Sequence, residues 1–171
     1  MKRNNIVLIG FMGCGKTSVG MSFMPRYRFL DTDAMIEEMV QMSVNEIFVN
    51  KGEKYFRQCE SRLISELSEE NESFVLSTGG GMPLESENAE GLKRLGTVVY
   101  LKASAETIYE RLKDDNTRPL LMCDDKIGRI RELLNVRDSK YAEAADCVVE
   151  VDNRSIEEIC DIIEGCINEN K

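Results

Sequence analysis

Apolar residues fall in short blocks along the chain, and the spacing inside each block changes from one to the next. Unbroken runs at Ile6-Val7-Leu8-Ile9, Phe74-Val75-Leu76 and Thr97-Val98-Val99-Tyr100-Leu101, rich in β-branched residues, predict strands buried on both faces. Phe29-Leu30 predicts a shorter strand, and Cys147 to Val151 the last. Between these runs the spacing shifts to three and four residues, the repeat of one helix face. Phe56, Cys59, Leu63, Ile64 and Leu67 mark such a face over 53–68; Ile108, Tyr109 and Leu112 mark another, and Ile156, Ile159, Cys160, Ile163 and Ile167 a third. Further helices are predicted over 34–40 and about 125–141. Ser43-x-x-Glu46 and Ser155-x-x-Glu158 are capping boxes that open helices. Pro25 stops a first helix, 18–24, after about two turns, and Gly96 closes one ending near Arg94. Strands alternating with helices through short connections predict an α/β fold. It is a single domain over 1–171: a five-stranded parallel sheet with helices on both faces, three layers joined by right-handed crossovers.

Polar residues with chemical potential cluster where these strands end. The first strand runs into Gly10-Phe11-Met12-Gly13-Cys14-Gly15-Lys16-Thr17. Its glycines let the backbone turn sharply and bring N–H groups close to a ligand, and the helix it opens adds a dipole that favours negative charge. This is a phosphate-binding loop, in which Lys16 reaches the β- and γ-phosphates of a nucleotide and the Thr17 hydroxyl binds Mg²⁺. The second strand ends at Asp31-Thr32-Asp33. Alternate residues of an extended segment share a side, so both acids can face one crevice beside the loop; equally, either can cap the helix that follows. The third strand ends in Gly79-Gly80-Gly81, which suits either a close backbone approach to a ligand or a flexible turn. Residues 113–121 break the helical pattern as an exposed loop does.

Composition narrows the partners. Apolar residues make up 42% and charged residues 31%, which is ordinary for a soluble domain, and no apolar run approaches the ~20 residues of a membrane span. Met1-Lys2-Arg3 is basic, but the apolar run behind it is too short for a signal peptide, so the chain is expected in the cytoplasm. A net charge of −9 argues against a nucleic-acid surface. With no histidine, any general base is a carboxylate, a lysine or water, and the six cysteines lack zinc-site spacing. Cys147, Cys160 and Cys166 read as small buried hydrophobes, and Cys14 as a partly exposed thiol beside the phosphate site.

The ordered set of motifs resembles the shikimate kinases, small kinases of the phosphate-loop fold, over almost the whole chain. The matching pieces are the loop 10–17, Asp31-Thr32-Asp33, Ile47-Phe48, then Gly52-Glu53-x-x-Phe56-Arg57-x-x-Glu60. Gly79-Gly80-Gly81, Arg118-Pro119-Leu120-Leu121 and Arg137 with Tyr141 follow in order. The resemblance implies Mg-dependent transfer of the ATP γ-phosphate to the 3-hydroxyl of shikimate, by a monomer binding neither nucleic acid nor membrane. It assigns the chemistry to Lys16, Asp33 and Arg118. ATP would be held by Gly13, Cys14, Gly15, Lys16, Thr17, Ser18, Arg111, Arg118 and Arg154, and Mg²⁺ by Thr17 and Asp31. Shikimate would be held by Asp33, Arg57, Gly79, Gly80, Gly81 and Arg137, the two arginines gripping its carboxylate. A lid at about 113–125 and a substrate-binding helical segment at about 33–61 come with the family. The chain departs from the pattern in a shorter stretch between Thr17 and Asp31, in Ser139 where relatives carry proline, and in the acidic pair Asp124-Asp125 in the lid. Another small phosphate-loop kinase, or a nucleotide-binding module without turnover, are the competing readings.

Overall fold

The protein is described here by a computed structural model over residues 4–169, so Met1-Lys2-Arg3 lie outside the described residues. Five strands, β1 (Ile6–Ile9), β2 (Arg28–Asp31), β3 (Phe74–Ser77), β4 (Thr97–Lys102) and β5 (Cys147–Glu150), form one parallel sheet in the order β2-β3-β1-β4-β5. All four residues of β1 are fully buried, as a central strand covered on both faces requires. The helices are α1 (Lys16–Ser22), α2 (Thr32–Val40), α3 (Val44–Lys51), α4 (Glu53–Leu67), α5 (Ser86–Leu95), α6 (Ala105–Leu112), α7 (Lys126–Ala144) and α8 (Ile156–Glu169). Short 3₁₀ turns at Met82–Leu84 and Pro119–Leu121, each carrying a proline in its first turn, were not part of the sequence expectation.

Register decides which helix covers which face. Leu8 of β1 pairs with Val99 of β4, so both point the same way, and Tyr100 points the other way. Gly20 of α1 rests against the Leu8 side chain and the Phe29 ring, whereas Tyr141 of α7 packs its ring 5.1 Å from that of Tyr100. Helices α1 and α7 therefore lie on opposite faces. Helix α8 packs on α1 and β5, while α5 packs on α4, α7 and β4, completing three layers.

Three expectations change. Helix α1 starts at Lys16 and stops at Ser22, not 18–24. Its N-cap Gly15 adopts a left-handed φ of 106°, which starts the helix inside the loop. The ladder then tightens into Phe23 N–H to Gly20 and Met24 N–H to Met21 bonds of 3.2 and 3.1 Å before Pro25 is reached. Helix α2 starts at Thr32, because the Asp31 carboxylate accepts the Ala34 N–H at 3.1 Å and ends the strand there. Cys147 and Cys166 are not separate thiols: with Cα atoms 6.4 Å apart they are joined by a disulfide that ties β5 to α8. Cys160 stays free and half-buried. Ser139 lies within α7, which runs through it uninterrupted. Among the described residues no helix is long and apolar enough to cross a membrane.

The amino end of the sheet is closed by one buried side chain. Asn5 donates to the Leu95 carbonyl at 2.9 Å and accepts the Phe74 N–H at 3.1 Å, and its own carbonyl accepts the Thr97 N–H at 2.9 Å. Asn5→Ala leaves a buried donor and a buried acceptor unpaired. It is expected to cost about 2–4 kcal/mol, read as a lower urea midpoint at unchanged slope.

Candidate active site

Parallel strands end at one edge of the sheet, so the segments after β1, β2 and β3 meet there. They enclose a cavity of about 580 Å³. Its walls are residues 12–19, Asp31 and Asp33, and residues 77–80, with Arg111, Arg118, Arg154, Ile156 and Ile159 closing the remaining side. The phosphate loop, both acids of the Asp-x-Asp and two of the three consecutive glycines thus share one space.

The loop is braced by two cations, one of its own and one from α6. The Lys16 ammonium donates to the carbonyls of Gly10 at 2.7 Å and Phe11 at 3.1 Å, and the Arg111 guanidinium donates to Gly13 at 2.9 Å. The first helical bond runs from Val19 N–H to Gly15 at 3.0 Å. The N–H groups of Lys16, Thr17 and Ser18 come before that ladder, as donors at a helix start do, beside the cavity they line. Cys14, expected to be partly exposed, is buried: its sulfur sits under the loop next to Gly10.

The acid corner is arranged differently from the extended geometry expected. Asp31 caps α2 with one oxygen and still lines the cavity, so capping and facing the crevice are not alternatives. Asp33 reaches the same space from the first turn of α2 instead of from the strand. Burial first, and the neighbouring Asp31 second, push its carboxyl above the ordinary range, while Lys16 and Arg118 pull it partly back. The backbone opposite has no room for a side chain: a Cβ on Gly79 would stand 2.7 Å from the Asp33 carboxylate. Thr17 and Asp31 both line the cavity and offer hard oxygen donors, the donor type Mg²⁺ takes. Among the described residues there is no group of three or more His, Cys, Asp or Glu that would hold a metal alone. A magnesium ion that shares its shell with phosphates needs only one or two protein ligands.

Gly81, Arg57 and Arg137 are not part of the cavity wall but adjoin it. The Arg57 guanidinium packs onto Gly81 and pairs with Glu60 at 2.8 Å and Glu53 at 3.2 Å. Arg137 stands over the Phe11 ring, 5.7 Å from its centroid, and has no carboxylate partner among the described residues. Arg118 pairs with Asp115 at 3.2 Å, and Arg154 is exposed at the rim. Sequence reasoning gave no role to the residues that hold this geometry. Thr32 accepts the Gly79 N–H at 2.8 Å, Thr78 donates to the Leu8 carbonyl at 3.0 Å, and the Tyr141 hydroxyl donates to the Gly80 carbonyl at 2.6 Å. Burial pushes the Tyr141 phenol up to about 12, which keeps it a donor. Thr32 lies inside the Asp-x-Asp motif and Thr78 adjoins the triple glycine, which was the only signal; what they bond to lies 47 and 70 residues away.

Glu60, a motif residue given no role from the sequence, is another member. It is wholly buried on α4, and one of its oxygens, Oε1, has no hydrogen-bond partner. Burial pushes its carboxyl up to about 7, against the pull of Arg57 and with the help of Asp33 and Glu85. For Arg57, burial opposes the charge, and the bonds to Glu60 and Glu53 overcome that and raise its pKa. The two directions compete. The upward direction for Glu60 is the firmer one, because only one of its two oxygens is held by Arg57.

A profile of the shikimate kinase family matches residues 12–167. A shikimate kinase of Caldicellulosiruptor saccharolyticus is 46% identical over 139 residues, 80% of each chain. One of Caldanaerobacter subterraneus subsp. tengcongensis is 41% identical over 159 residues, 92% of each chain. Among solved structures, the shikimate kinase of Acinetobacter baumannii in complex with shikimate superposes with a TM-score of 0.88 at 36% identity, covering 98% of this chain and 94% of that one.

Glu60 carries a pH prediction. With its pKa raised in the folded chain from 4.5 to about 7, the folded protein holds a proton that the unfolded chain releases first. Its contribution is complete below about pH 4.5 and is lost as the pH climbs through 7. Between these limits the wild type is expected to lose about 3 kcal/mol relative to Glu60→Gln, measured as paired urea titrations across pH. A difference that stays flat from pH 4.5 to 7.5 would show that Glu60 titrates in the folded protein as it does in the unfolded chain.

Proposed function

The chain belongs to the shikimate kinase family, and we propose that it transfers the γ-phosphoryl group of ATP to the 3-hydroxyl of shikimate, giving shikimate 3-phosphate and ADP. One observation carries this: the phosphate loop, Asp33 and the Gly79-Gly80 backbone line a single cavity, with Arg57 and Arg137 standing just beyond it. A nucleotide entering over residues 13–18 brings its terminal phosphate toward Lys16. Shikimate then lies between Asp33 and the triple glycine, with its carboxylate between Arg57 and Arg137. The missing carboxylate partner of Arg137 supports that placement, since a planar carboxylate suits a guanidinium fork.

The shikimate hydroxyl oxygen forms a bond to the γ-phosphorus as the bond to the bridging oxygen of ADP breaks. The transition state is loose, so positioning and charge neutralisation dominate. Lys16 turns from the Gly10 and Phe11 carbonyls to the phosphates, and Arg118, carried on the segment 113–125, closes over them and leaves Asp115. Asp33 accepts the hydroxyl proton, a role that suits a carboxyl raised above the ordinary range by burial. Thr17 and Asp31 would hold the Mg²⁺ that travels with ATP, which supplies charge neutralisation on the phosphate oxygens when bound. Arg111 braces the loop, and Arg154 stands at the rim where the base would lie. The site is complete within one chain, consistent with a monomer, and a net charge of −9 supports an enzyme without nucleic-acid partners.

The test is ADP formation from ATP and Mg²⁺ with shikimate, beside quinate, gluconate and CMP. Turnover with shikimate alone is expected, and EDTA should abolish it. A protein that binds ATP yet does not turn shikimate over would overturn the assignment. Arg118→Ala is expected to lower kcat by on the order of 10³, and Asp33→Ala by about 10² or more. Arg57→Ala and Arg137→Ala should act mainly on KM for shikimate, each raising it about tenfold or more while KM for ATP holds.

A further inference from the structure

No carboxylate among the described residues fixes Arg137, which stands over the Phe11 ring, yet its usefulness depends on where its guanidinium points. Its place is set by α7, and α7 is tied to the sheet next to it. The carboxylate of Asp138 spans two residues of β4: Oδ1 accepts the Tyr100 hydroxyl at 2.8 Å, and Oδ2 accepts the Lys102 ammonium at 3.1 Å. Tyr100 and Lys102 are two apart on a strand and so present one side to the helix. Tyr100 is buried, its ring packs on Tyr141, and Tyr141 in turn donates to Gly80. The path from Tyr100 to Asp138, along α7 to Tyr141 and back to Tyr100, is closed.

From this we infer that Asp138 is a positioning residue for substrate binding: by locking α7 to β4 it sets the direction of Arg137 and, through Tyr141, the Gly80 backbone. Apolar packing alone lets a helix turn or slide a little, and a long side chain such as arginine amplifies the error at its tip. Two fixed points three residues apart on one helix face remove that freedom. The half of the clamp that matters is the bond from Tyr100. A buried phenol needs an acceptor, and one to a carboxylate is charge-assisted. The Lys102 pair is half-exposed on both sides and contributes little by itself. The inference rests on the shikimate reading for its ligand, but the clamp exists without it.

Two measurements separate the clamp from that reading. Hydrogen exchange of the α7 amides around Arg137 needs no substrate; Asp138→Ala and Tyr100→Phe are expected to speed it, and Asp138→Asn, whose amide oxygen still accepts from Tyr100, to leave it close to wild type. In the shikimate assay Asp138→Ala and Tyr100→Phe should raise KM for shikimate about five- to tenfold, with kcat and KM for ATP within about twofold, and Asp138→Asn should again restore wild-type values. Combining Asp138→Ala with Arg137→Ala should raise KM for shikimate by less than the product of the two single effects, because both act in part through the Arg137 guanidinium. A lowered Tm with unchanged exchange and unchanged KM, equal rises in both KM values, or additive losses in the double variant would each overturn the role. A wild type that fails to turn over shikimate would sink the substrate assignment alone, and the exchange result would still decide the clamp.

Discussion

Two hydrogen bonds to one short stretch of backbone hold the halves of this site together. The Gly79 N–H is taken by Thr32, at the junction of β2 and α2, and the Gly80 carbonyl is taken by Tyr141 of α7. Residues 79–80 are thus fixed from the side that carries Asp31 and Asp33 and from the side that carries Arg137. Thr78, directly before them, spends both its N–H and its hydroxyl on the Leu8 carbonyl, at the end of the strand that feeds the phosphate loop. Three loops from distant parts of the chain are therefore set in register by neutral hydrogen bonds in a buried place, where leaving a donor or acceptor unpaired is costly.

Charge is distributed against the average of the molecule. The chain carries nine more acids than bases, yet four of its cations, Lys16, Arg111, Arg118 and Arg154, stand around one cavity. Much of the excess acid sits on outer helix faces, where it is solvated and weak in effect. Two acids in or beside the site hold their charge weakly: burial drives both Asp33 and Glu60 toward the neutral form. A site built to gather phosphates and a carboxylate benefits from carboxyls that repel them less, and a raised Asp33 is also better suited to holding a proton.

Some of this is legible in the sequence alone. Strands β1, β3 and β4 announce themselves because a strand covered on both faces must be apolar at every position, and α4 and α8 because one apolar stripe repeats at helical spacing. The phosphate loop is read from the chain because its function lies in backbone conformation, which glycine reports directly. Other features were not legible. The end of α1 is decided by a local tightening of its ladder before Pro25, and the start of α2 by whether the Asp31 oxygen takes the Ala34 N–H. The joining of Cys147 to Cys166 depends on how α8 folds back over β5.

What the sequence determined by itself was the order of elements, the parallel α/β sheet and the identity of the groups that reach the strand ends, because periodicity and glycine spacing are local properties. What only the tertiary structure decided was which of those groups meet. Asp33 enters the cavity from a helix and not a strand, Glu60 is sealed beneath Arg57 with an oxygen unpaired, and Tyr100 reaches across to Asp138. Each depends on atoms that are distant in sequence, or on burial. Both are products of packing, and no pattern along a single chain records them.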